Sequence, residues 1–117
     1  MKKILCLALL VGFSYSKSGN DFLREYPFNK TGEDFNDMEW GFFMYYVGHV
    51  KGVIESSRYN KSTDLYMRSC KMDTGQMMRF IKKYCDDNPA LTHEHFTNMI
   101  YRAVLQLPEL TVEECSE

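Results

Sequence analysis

The sequence predicts an all-α protein, a small bundle of about four helices held by one disulfide. Helix formers and aromatics are abundant, and strand-like alternation of apolar and polar residues is absent. Apolar residues recur at three- and four-residue intervals in separate segments, the period of a helix with one buried face. Asn36 with Glu39, and Asp73 with Gln76, have capping-box spacing, in which each residue's side chain satisfies an orphan backbone donor of the other.

In chain order, residues 1–16 are expected to be a cleaved export signal. Lys2 and Lys3 make a positive start, Ile4 to Phe13 is an apolar run short of the roughly 20 residues a bilayer takes, and Ser14 to Ser16 offers a peptidase site. The expected product is a periplasmic domain, residues 17–117, with no further membrane segment. Its first short helix opens at Ser18 or Asn20 and carries Phe22, Leu23 and Tyr26 on its inner face. Pro27 ends it, and Phe28 to Phe35 is a loop. Asn36 caps the longest helix, Asp37 to about Ser57, whose apolar stripe includes Phe42, Tyr45, Tyr46, His49, Val50, Val53 and Ile54. Arg58 to Asp64 is a polar loop, after which Leu65, Tyr66 and Met67 return the chain to the core. Asp73 caps a helix burying Met77, Met78, Ile81, Tyr84 and Cys85, stopped by Asn88-Pro89. A last helix is expected from Thr92, stapled by Leu91 and Phe96, burying Met99, Ile100, Ala103, Val104 and Leu107, and ended by Pro108.

Lys2 and Lys3 leave with the signal, so 14 basic side chains fall to 12 against 16 acidic ones, a net charge of −4. That balance argues against nucleic acid or anionic lipid as a partner. Cys70, Cys85 and Cys115 remain, which in an oxidising compartment suggests one disulfide and one leftover thiol. A bridge from Cys70 to Cys115 closes a long loop and adds about 3–4 kcal/mol. Cys85 on an apolar helix face suits a buried small hydrophobe, although spacing alone leaves a Cys70–Cys85 pairing open.

Gly48 and Gly52 lie one turn apart in the longest helix, where each costs roughly 1 kcal/mol relative to alanine. The expectation is close packing: with no Cβ there, another helix backbone can approach. Around these glycines the sequence runs "YYVGHVKGV". It continues through Cys70 in "SCKMDTGQMMRFIKKY" to the stop "DDNP", then a His-containing turn and "HFTNMIYRAVLQLP". The domain opens on "SGNDFL". In order and spacing, from Ser18 to Pro108, the chain resembles the Rap/Tai family of periplasmic immunity proteins, which protect bacteria from type VI secretion amidase effectors. Two departures are visible. Tyr26 and Tyr46 stand where members often carry two cysteines, and Glu109 rather than Cys follows Pro108, with Cys115 the nearest cysteine.

The resemblance implies inhibition by occlusion: the protein fills the cleft of a cognate peptidoglycan amidase and needs no cofactor or chemistry of its own. It also implies a homodimer. The residues themselves do not suggest an enzyme, since there is no phosphate loop or serine elbow. His49 sits on the aromatic stripe as a hydrogen-bonded core residue, and His93 and His95, two apart at a helix start, diverge too far to share a metal. Candidate contact residues are Arg58, Tyr59, Asn60, Lys61 and Asp64 in the polar loop, where Arg and Tyr are interface-energy types. Asp86 and Asp87 could meet basic residues around an amidase cleft. The alternative reading is a small periplasmic acid-stress chaperone of the Hde type, which exposes apolar surface when carboxylates protonate.

Overall fold

The computed structural model describes residues 17–59 and 64–116. The expected signal, residues 1–16, and the candidate contacts Asn60 and Lys61 lie outside the described residues. Among those described, the chain forms α1 (Gly19–Glu25), α2 (Asp37–Ser57), α3 (Leu65–Ser69), α4 (Thr74–Asp87), α5 (Phe96–Val104) and α6 (Val112–Ser116). Turns of 3₁₀ helix cover Gly32–Asp34 and Pro89–Leu91, and no strand is present among the described residues. The all-α expectation holds, with two five-residue helices, α3 and α6, added to the four expected. No helix among the described residues is long and apolar enough to cross a membrane.

Local chemistry sets most helix starts. Asn36–Glu39 and Asp73–Gln76 both close as capping boxes, and Ser18–Asp21 forms a third. α4 stops at Asp87 because Pro89 has no N–H to continue the ladder and restrains Asn88 before it. The Asn88 side-chain amide then donates to the Tyr84 carbonyl at 2.9 Å.

The core is one cluster of aromatic and aliphatic side chains. Phe22 of α1, Tyr46 of α2 and Phe96 of α5 are fully buried, with the Phe22 and Phe96 rings 4.6 Å apart. Ile81, Cys85, Met99, Ile100 and Val104 continue it along α4 and α5, and Met77 and Met78 are buried as core filler. The Tyr46 hydroxyl donates to the Glu25 carboxylate, whose other oxygen takes the Lys17 ammonium at 3.1 Å. Burial, reinforced by Glu25, pushes the Tyr46 phenol far above its usual pKa, so it remains a donor.

The last long helix starts four residues later than expected, at Phe96. Thr92 does not reach forward as a cap; its hydroxyl donates back to the Pro89 carbonyl at 2.9 Å. Residues 92–96 pair instead with the start of α1. Asn20 N–H donates to the Thr92 carbonyl at 2.8 Å, Gly19 N–H to the Glu94 carbonyl at 3.1 Å, and Phe96 N–H to the Lys17 carbonyl at 2.7 Å. Phe96 N–H, spent on the Lys17 carbonyl, is then not free to donate to the Thr92 carbonyl as a helix capped at Thr92 requires.

The close-packing expectation for Gly48 and Gly52 is wrong. A Cβ built at either meets nothing within 4 Å, and the same is true of Gly41. These glycines lie on the solvent side of α2, together with exposed Met38 and Met44. The α-helical glycine that permits close approach among the described residues is Gly19, where a Cβ would come within 3.0 Å of the Met99 side chain and 3.1 Å of the Thr92 carbonyl.

Cys70 and Cys115 form the disulfide, with Cα atoms 5.6 Å apart. Among the described residues Cys85 is the free cysteine, and it is buried. The bridge fixes the C-terminal segment beside α3, where Leu110 N–H also donates to the Met67 carbonyl at 2.9 Å.

Candidate partner-binding surface

The polar loop departs from a corner pinned by one buried hydroxyl. Ser57, 2% exposed at the end of α2, donates to the Ile54 carbonyl at 2.6 Å. The same oxygen accepts from Leu65 N–H at 3.0 Å and Tyr66 N–H at 3.3 Å, the first two residues of α3. Asp64 caps that helix, accepting from Met67 N–H at 3.2 Å. Both ends of the loop are therefore fixed by the elements they join.

Arg58 and Tyr59 project from this corner. The Arg58 guanidinium lies 4.3 Å from the centroid of Tyr66, a cation–π contact, and pairs with Glu55 at 3.3 Å. Tyr59 is 89% exposed. Tyr66 also helps to wall a groove of about 260 Å³ between α2, α3 and the start of α4. Val50, Ile54, Met72 and Met77 supply its apolar lining, with Lys51, Glu55 and Asp73 among its charged groups. Arg58 joins this groove through Tyr66, with Tyr59 next to it in the chain and Asp64 at the start of α3.

Asp86 and Asp87 belong to a different place, the last turn of α4. Asp86 pairs with Lys82 at 2.6 Å, and Asp87 is exposed. No hydrogen bond or ion pair among the described residues joins them to the loop. Acids at a helix C-terminus oppose its dipole, and α4 has no base in its last turn to offset them.

The remaining titratable groups take structural positions. His49 Nε2 lies 2.7 Å from Thr97 Oγ1, and burial lowers its pKa from 6.5. His93 and His95 are exposed. Burial pushes the Cys85 thiol up to about 11, so it stays protonated and unreactive at neutral pH.

A second concavity forms around Phe28 to Phe35, a segment whose sequence indicates only a loop. Two phenylalanines in an otherwise polar stretch were its signal. The chain folds them against Tyr26, Trp40 and Phe43 beside Arg79. Comparisons with protein-family models, curated proteins and solved structures give no match for this chain.

Proposed function

We propose that the protein is a periplasmic immunity protein of the Rap/Tai kind, which binds a type VI secretion peptidoglycan amidase and occludes its cleft. The family resemblance supplies the partner class. The observation that carries the reading is the anchored corner at Ser57, which holds Tyr59 almost wholly in solvent with Arg58 beside it. Side chains presented from fixed loop ends lose little freedom on binding, and Tyr and Arg are the types that concentrate interface energy. The adjacent apolar groove extends the contact area.

The resemblance also implies a homodimer. The exposed Met38 and Met44 on the solvent side of α2 support that reading as apolar surface that a second copy can cover.

The test is co-purification of the protein with the product of each adjacent gene, followed by peptidoglycan hydrolysis assays on any complex. An amidase held and inhibited is the expected result. Tyr59→Ala and Arg58→Ala should each weaken the complex by about tenfold or more without shifting the melting temperature. If no neighbouring product binds, and the protein instead gains dye-binding apolar surface at about pH 3, the acid-stress chaperone reading replaces this one.

A further inference from the structure

The aromatic cleft lies apart from the Arg58–Tyr59 surface, between α1, the Gly32–Asp34 turn, α2 and the first half of α4. Its volume is about 220 Å³, below the roughly 300–1,000 Å³ of pockets that take whole small molecules. It is the size for one side chain. The walls are rings already braced against each other: Phe35 on Trp40 at 5.0 Å, Trp40 on Phe43 at 5.7 Å and Tyr26 on Phe43 at 5.8 Å. Gly32 lets the Trp40 ring come in close, since a Cβ there would stand 3.2 Å from it.

The charge in this cleft has one sign. Lys30 and Arg79 are the charged side chains that line it among the described residues, although the chain as a whole carries a net charge of −2. Lys30 is bridged to Glu39 at 3.0 Å, and the nearby Arg24 and Lys82 are bridged to Asp21 and Asp86. Among the described residues no carboxylate pairs with Arg79. Its guanidinium lies over Gly75, 3.5 Å from where a Cβ would be, with the Asp73 carboxylate 3.4 Å from the same point but in no ion pair with it.

We propose that this cleft binds the C-terminal residue of a partner polypeptide, with the apolar side chain between the rings and the α-carboxylate on Arg79. A guanidinium matches a carboxylate with two parallel hydrogen bonds, and aromatic walls beside it take the apolar group. A terminal residue carries both groups on one Cα, which the small volume demands. An internal acidic residue would put its carboxylate on a separate side chain, outside that space. The chain's own apolar run, Ile4 to Phe13, is preceded by lysines and has no carboxylate, so it would leave Arg79 unmatched.

Trp40 is the single tryptophan of the chain, so its fluorescence reports the cleft directly. The probes are N-acetylphenylalanine as the free acid and N-acetylphenylalanine amide, titrated into the purified protein. The free acid should change Trp40 emission saturably, and the amide should bind about tenfold more weakly. Arg79→Gln should erase that difference while leaving the melting temperature unchanged, because Arg79 is exposed. Absence of a saturable change, equal binding of acid and amide, or an intact preference in Arg79→Gln would each overturn the proposal.

Discussion

Two kinds of glycine sit in helices of this protein, and their substitution should have opposite signs. Gly48 and Gly52 have open space where a Cβ would be, so alanine there gains helix propensity with no steric cost. Gly48→Ala or Gly52→Ala should raise stability by about 0.5–1 kcal/mol each in a thermal melt. Gly19→Ala should lower it by about 1–3 kcal/mol, because both the Thr92 backbone and Met99 stand in the way. His49 supplies a pH signature. Its folded pKa lies below the 6.5 of the unfolded chain, so above pH 6.5 both states hold it neutral and it costs nothing. As pH falls below 6.5 the unfolded chain takes up the proton first, and stability declines until the folded pKa is passed. Urea midpoints measured downward from pH 8 should show that decline, and His49→Phe should flatten it.

Helix boundaries follow local chemistry where nothing else claims the backbone. The boxes at Asn36 and Asp73 begin α2 and α4 at the expected residues, each closed by a pair three positions apart. The corner between α2 and α3 is less local, since one hydroxyl accepts from two N–H groups of the following helix. Ser57→Ala should strand both donors in a buried site and cost about 1–3 kcal/mol. The same change should weaken amidase binding beyond its effect on stability, because it frees the base from which Arg58 and Tyr59 project. Hydrogen exchange at Leu65 and Tyr66 would register the loss directly.

The domain depends on a clasp between its middle and its end. Cys70–Cys115 spans 45 positions and holds the segment after α5 against α3, where Arg68 also donates to the Leu107 carbonyl. Beyond α5 that segment contributes no fully buried side chain, so little else keeps it in place. Reduction, or Cys115→Ser, should lower stability by about 3–4 kcal/mol, read as the difference between oxidised and reduced melts. Cys85→Ala, which leaves Cys70 and Cys115 paired, should keep that full difference between oxidised and reduced melts.

The sequence by itself determined the helical class, the capped starts of α2 and α4, the stop at Asn88-Pro89, the buried face of α4 and that of α5 except Leu107, which lies past the end of α5 at Val104 and is half-buried. Each depends on residues within a few positions of one another, so spacing is enough to reveal it. The Cys70–Cys115 pairing was legible on loop-entropy grounds, and Arg58, Tyr59 and Asp64 were legible as a polar interruption between apolar segments. Only the tertiary structure decided the rest. The start of α5 moved because α1 claims the backbone of residues 92–96, a partnership between segments some 75 positions apart. Which glycines are crowded depends on what crosses them: Gly19 meets the Thr92 backbone, whereas Gly48 and Gly52 face outward. The aromatic cleft draws on α1, a 3₁₀ turn, α2 and α4 at once. A concavity made by four elements has no period or spacing in the sequence, because it exists only once they are packed together.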